Sequence, residues 1–129
     1  MKQLAIRFAW FMIVFSTSLG FSTAQSQGLD IYWIDVEGGA ATLLVSPEGE
    51  SLLVDTGFPT DDKRDARRIA VAMREAGLTK IDHLVITHYH RDHVGGLEAL
   101  AEIMPIERCY DHGTTTDLTI IIKLCRNLR

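Results

Sequence analysis

The chain is poor in cysteine, in positive charge and, beyond its first two dozen residues, in long apolar runs. Its two cysteines, Cys109 and Cys125, lie 16 apart and do not define a disulfide framework. Export to an oxidising compartment would permit them to pair. The favoured expectation is that Cys109 is a small apolar residue in a strand over Ile106–Tyr110, with Cys125 in a loose tail. The formal net charge of −4 argues against broad adsorption to nucleic acid, so no stable nucleic-acid binding is expected. Repeats, low-complexity segments and internal linkers are also missing, which excludes solenoids and multi-unit arrays.

The first 24 residues have a separate logic. Lys2 and Arg7 give a basic start, Phe8 to Phe21 an apolar middle, and Ser22-Thr23-Ala24 a small-residue cleavage site, the layout of a secretory signal peptide. The apolar stretch has 14 residues, fewer than the roughly 18 needed to cross a bilayer, so no permanent membrane span is expected. Cleavage after Ala24 would leave 105 residues, with 11 basic against 17 acidic side chains and a net charge of −6, in a secreted or periplasmic protein.

Chemistry is concentrated in one place, Thr87-His88-Tyr89-His90-Arg91-Asp92-His93-Val94-Gly95-Gly96. Three histidines and an aspartate fall within six residues, directly after the apolar run His83-Leu84-Val85-Ile86. In an extended segment residues two apart project to one face, so His88 and His90 can grip one ion together. Asp92 and His93 follow where the chain turns toward the glycine pair and can point at a second ion. Neutral imidazoles with one carboxylate suit zinc, and a zinc ion with an open position activates water. The plainer alternatives are a solvated polar loop and a metal site without turnover.

Periodicity gives the order of elements. Leu29 to Val36, Ala41 to Ser46 and Ser51 to Asp55 read as strands, with Gly38-Gly39 and Pro47-Glu48-Gly49-Glu50 as turns. Asp61 or Asp62 is placed to cap a helix running to about Ala76, with Ala66, Ile69, Ala70, Met73 and Ala76 on one face. Asp82 to Thr87 reads as a buried strand that delivers the histidine loop. Gly96 to Met104 reads as a second helix with Leu97, Leu100, Ala101 and Met104 inward, stopped by Pro105. Ile106 to Tyr110 reads as the last strand. His83, Asp35 and Glu37 read as packing or solvated residues, and Thr87 is placed to support the loop through its hydroxyl.

The stretch His88 to His93 resembles the His-x-His-x-Asp-His signature of the metallo-β-lactamase superfamily of metallo-hydrolases. Ser51-Leu52-Leu53-Val54-Asp55-Thr56-Gly57 is similar to that family's first motif, a strand ending in Asp-x-Gly. Ile34-Asp35-Val36-Glu37-Gly38-Gly39-Ala40-Ala41 resembles the opening strand and turn of the branch that includes the hydrolase domain of bacterial DNA-uptake competence proteins. The resemblance covers roughly Leu29 to Gly113. It implies an α+β class and the N-terminal half only of a metallo-β-lactamase-like αββα sandwich. The implied organisation is a signal peptide over 1–24, the half-domain over 25–113 and an irregular tail over 114–129.

For the site, the resemblance implies metal ligation by His88, His90, Asp92 and His93, and a catalytic proton role for Asp92. Asp55 would orient the histidine loop by hydrogen bonds. His112 lies either at the mouth of the site, against substrate, or in a plain turn. The family uses two zinc ions, but its remaining ligands come from later strands, and after His93 only His112 remains. Zero to one zinc is therefore expected for this chain, read as a truncated or frame-shifted copy of a longer enzyme.

Two functions follow. One is a zinc-dependent hydrolase acting on a small-molecule or phosphodiester substrate, with an ester, lactone, amide or thioester as other targets. The other is a non-catalytic remnant that binds metal weakly or needs a partner. A half-sandwich leaves one sheet face uncovered, which a homodimer through that face could hide.

Overall fold

A computed structural model describes residues 28–113; the expected signal peptide and the tail, with Cys125, lie outside the described residues. The elements in chain order are β1 (Asp30–Trp33), β2 (Thr42–Val45), β3 (Ser51–Val54), α1 (Arg64–Glu75), β4 (Ile81–Val85), α2 (Arg91–Val94), α3 (Leu97–Ile103) and β5 (Ile106–Tyr110). They form one sheet in the order β1-β2-β3-β4-β5. The first three strands are antiparallel neighbours joined by short turns. The pairs β3–β4 and β4–β5 are parallel, and each therefore needs a helical crossover, α1 for the first and α2–α3 for the second. The class is α+β, as the sequence pattern implies.

Alternation decides which strand residues turn inward. One register row crosses the sheet as Tyr32, Leu43, Leu53, Leu84 and Cys109. Leu43, Leu53 and Leu84 are fully buried in one cluster with Ile69 and Met73 of α1 and Leu97 and Leu100 of α3. The neighbouring row, Ile31, Leu44, Leu52, His83 and Arg108, turns to the other side and stays partly open to solvent. On that open face His83 holds Tyr110 Oη at 3.1 Å and Glu50 Oε1 at 3.0 Å, the packing role read for it.

Several boundaries differ from the sequence reading, each for a local reason. β1 stops at Trp33 because the chain turns through Glu37, whose φ is 58° and whose N–H donates to Asp35 Oδ1 at 3.0 Å. Arg68 and Arg64 of α1 hold Asp35 and Glu37 at 3.0 and 2.7 Å, so these two acids fasten the turn to the helix. Helix α1 starts at Arg64, after Lys63 in the left-handed region. Its first N–H is taken by Thr60 Oγ1 at 2.8 Å and Asp62 Oδ1 at 3.1 Å, so Asp62 shares a role expected of one aspartate acting alone. Strand β4 ends at Val85, and the short helix α2 within the histidine loop has no periodic signature that could foretell it.

Cys109 corrects an expectation. It occupies the buried strand position foreseen, but it is disulfide-bonded rather than a free thiol. Pairing depends on the distance between two Cβ atoms, which a count and a spacing do not contain.

At the start of the β3–β4 pair, Asp82 Oδ2 accepts both the backbone N–H and the hydroxyl of Ser51, each at 2.9 Å. Asp82 N–H donates back to Ser51 Oγ at 2.9 Å, and Lys80 Nζ stands 2.8 Å from Oδ1. Burial works against the charged form, but the bonds from Lys80 and Ser51 outweigh it and lower the carboxyl to about 2.

Candidate metal centre

Because β3 and β4 run parallel, the segments that leave them emerge at the same edge of the sheet, Asp55 from one and Thr87 from the other. Asp55 is a non-glycine residue at φ 63°, a conformation aspartate tolerates better than most side chains. Its N–H donates to the Val85 carbonyl at 2.9 Å, and its carboxylate is buried. Oδ1 accepts the Thr87 N–H at 2.9 Å. Oδ2 accepts the Thr87 hydroxyl at 2.7 Å and stands 2.8 Å from His93 Nδ1. With its Nδ1 proton given to Asp55, the His93 ring is fixed in orientation and its Nε2 keeps a lone pair.

Backbone bonds hold the loop from both sides. The His93 carbonyl accepts the N–H of Thr56 at 2.6 Å and its hydroxyl at 3.1 Å. The Asp92 carbonyl accepts the Ala40 N–H at 2.9 Å, and the Gly57 carbonyl accepts the Gly96 N–H at 3.1 Å. These contacts bring three stretches of backbone closer than side chains would allow. A Cβ on Gly39 would lie 2.6 Å from the Asp92 carbonyl, and one on Gly96 would collide with the Thr56 carbonyl. That is the physical use of Gly39 and of Gly96, the second of the glycine pair after the motif.

The result gathers the sequence candidates at one end of the sheet. The His88 and His93 rings have centroids 3.8 Å apart, and His88 and His90 meet edge-on at 4.6 Å. Asp92 Oδ2 lies 3.5 Å from His93 Nε2, in the first turn of α2. Among the described residues, no three His, Cys, Asp or Glu side chains are arranged to hold one ion together. The four side chains instead follow one another in a row, His90, His88, His93 and Asp92. His112 stands apart: its ring packs on Tyr89 at 4.5 Å, and the Tyr89 hydroxyl donates to the Gly113 carbonyl at 3.0 Å.

One supporting residue was absent from the sequence reading. Asp65 is fully buried in the first turn of α1, accepting the Phe58 N–H at 2.8 Å and facing Arg64 Nε at 2.7 Å. It lies directly beneath Gly57, whose Cβ would meet Asp65 Oδ2 at 2.6 Å, so it braces the turn that carries Asp55. The available signal was an acidic residue four before Ile69 on the apolar stripe of the helix.

The scaffold is a mixed sheet with helical crossovers that presents imidazoles and a carboxylate at one end of its parallel strands. The model of the metallo-beta-lactamase superfamily matches residues 34–119, and the chain belongs to that superfamily. It is 33% identical over 67 residues to an atrochrysone carboxyl ACP thioesterase of Aspergillus terreus, covering 52% of this chain and 20% of the relative. It is 28% identical over 81 residues to a ribonuclease Z of Clostridioides difficile, covering 63% and 23%. A metal-dependent hydrolase of Cupriavidus necator is 31% identical over 74 residues, covering 57% and 23%. The chain thus spans about a fifth to a quarter of the length of these curated relatives.

Proposed function

We propose that the chain carries the ligand loop of a zinc-dependent hydrolase, with His88 and His90 serving one ion and Asp92 and His93 a neighbouring one. The observation behind this reading is the setting of His93: buried Asp55 engages Nδ1, while Nε2 faces the Asp92 carboxylate at 3.5 Å. A cation bound between these two atoms would be held by both. Imidazole nitrogen and carboxylate oxygen are also the donors that zinc takes.

Bound zinc would supply Lewis acidity and a water of lowered pKa. The chain's own residues orient and exchange protons. Asp55 and Thr87 hold the loop in place, and Asp92, whose side chain is 34% exposed, can accept a proton at Oδ2 and pass it to a leaving group. The loop offers two candidate donors to each ion, fewer than the roughly three that a hydrolytic zinc needs, so this chain on its own is expected to hold at most one zinc, loosely, at His88 and His90.

The substrate belongs to the class opened by water attack at an electrophilic carbonyl or phosphorus: an ester, lactone, amide, thioester or phosphodiester. Relatives named as a thioesterase and a ribonuclease support that breadth without selecting within it. A second reading, metal binding without turnover unless a partner or second copy covers the sheet, is favoured by the open face on which Trp33 is 80% exposed. The proposed setting, resting on the leader-like layout of residues 1–24, is secreted or periplasmic.

Zinc analysis of the full chain, with hydrolysis of a thioester, a lactone and an aryl phosphodiester in the presence of zinc, separates the two. Turnover abolished by a chelator and by His88→Ala supports the hydrolase. Zinc bound without turnover, or no zinc bound, favours the second reading over the first, and turnover that survives both the chelator and His88→Ala overturns the zinc-dependent hydrolase.

A further inference from the structure

Thr87 has one hydroxyl proton and three neighbours that could take part in bonding with it. Its Oγ1 lies 2.7 Å from Asp55 Oδ2, 3.1 Å from His88 Nδ1 and 3.4 Å from His93 Nδ1. The carboxylate is the nearest and the strongest acceptor, so the proton goes to Asp55. Asp55 is also the better partner for His93 Nδ1, at 2.8 Å. The remaining contact, Thr87 Oγ1 to His88 Nδ1, then joins a spent oxygen to a ring nitrogen. It is a hydrogen bond only if the nitrogen donates; otherwise two lone pairs face each other at 3.1 Å.

We infer that Thr87 is a positioning residue that sets the tautomer of His88. By accepting from Nδ1–H while donating to Asp55, it leaves the His88 Nε2 lone pair free, and the same Asp55 oxygen does this for His93. One buried carboxylate thereby orients two imidazoles, one directly and one through Thr87. The Thr87 N–H bonded to Asp55 Oδ1 at 2.9 Å fixes the residue from its backbone, so the hydroxyl has little freedom to choose another arrangement. The inference deepens the hydrolase reading and rests on it for its purpose, but the proton arrangement itself is a property of the metal-free chain.

The test is therefore made without metal. Long-range nitrogen–proton spectra of the full chain, labelled on histidine and held at a pH where the rings are neutral, report which nitrogen of His88 carries the proton. The proton is expected on Nδ1 in the wild type and in Thr87→Ser, and on Nε2, the form favoured by a free side chain, in Thr87→Val. A wild-type His88 protonated on Nε2 overturns the inference. So does a Thr87→Val spectrum unchanged from the wild type, and the wild-type spectrum alone decides if that variant does not fold. Zinc titration is the second readout: Thr87→Val should weaken binding by about 10–100-fold and Thr87→Ser should restore it. A wild type that shows the expected tautomer but binds no zinc would overturn the hydrolase reading while leaving the role of Thr87 in place.

Discussion

The two ends of the β3–β4 pair are each closed by a buried aspartate, and the two closures do different work. At the entry end Asp82 binds Ser51 and Lys80, and Lys80 also reaches Glu107 Oε1 at 2.8 Å, but neither partner carries a lone-pair nitrogen that could take a metal. At the exit end Asp55 binds Thr87 and His93, and one partner retains a free ring nitrogen that faces a second carboxylate. Both clasps hold parallel strands in register across a long sequence separation. Only the second passes its order on to side chains able to take a metal. The difference lies in the partner's chemistry, since the aspartates are alike in burial and in number of bonds.

The largest effect expected from disturbing this contrast is at the crowded exit end. Gly96→Ala drives a Cβ into the Thr56 carbonyl, where only backbone could yield. It should cost about 3 kcal/mol or more, read by denaturant unfolding. Gly49→Ala, at a φ of 84° with open space around it, should cost only about 1 kcal/mol. Equal losses at the two glycines would show that the exit end is not specially packed.

Next in size is Asp55→Ala. It strands the Thr87 N–H and the His93 Nδ1 proton, at about 2–3 kcal/mol of stability, and should weaken zinc binding by about 10–100-fold. Asp82→Ala should cost about 1–2 kcal/mol and leave zinc binding unchanged. Loss of zinc affinity in Asp82→Ala, measured by calorimetry, would erase the distinction between the ends.

The smallest effect is that of acid. Asp82 is held at about 2 in the folded chain against an ordinary 3.8, so its contribution is complete above the ordinary value and disappears as pH falls through about 2. Because Lys80 is nearly half exposed, solvent screens part of this contribution, and roughly 1 kcal/mol is expected across that window. In Asp82→Ala this part of the pH dependence should vanish.

How much of this was legible beforehand depended on range. The stripe Ala66, Ile69, Ala70 and Met73 and the strand Ile106–Tyr110 follow from local periodicity, and both were readable. Helix α2 is four residues, too short for a pattern, and interrupts a stretch that reads as a loop. Asp65 was overlooked because an acid beside a helix start ordinarily faces water. Here it is buried by Phe58 and Gly57, which meet it only after the chain folds back. The pairing of Cys109 had no local signal at all.

The sequence by itself determined the inventory: strands and helices of given period, a donor-rich loop after an apolar strand, and an aspartate at the end of another. Those properties belong to residues a few positions apart, and neighbouring side chains carry them without help from the rest of the chain. Tertiary structure decided the connections. That Asp55 reaches His93 across 38 positions, that His88 lies nearer to His93 than to His90, and that His112 turns to Tyr89 are consequences of parallel strand pairing and crowded glycines. Hydrogen bonds between distant segments obey distance and angle, and those exist only once the sheet has formed.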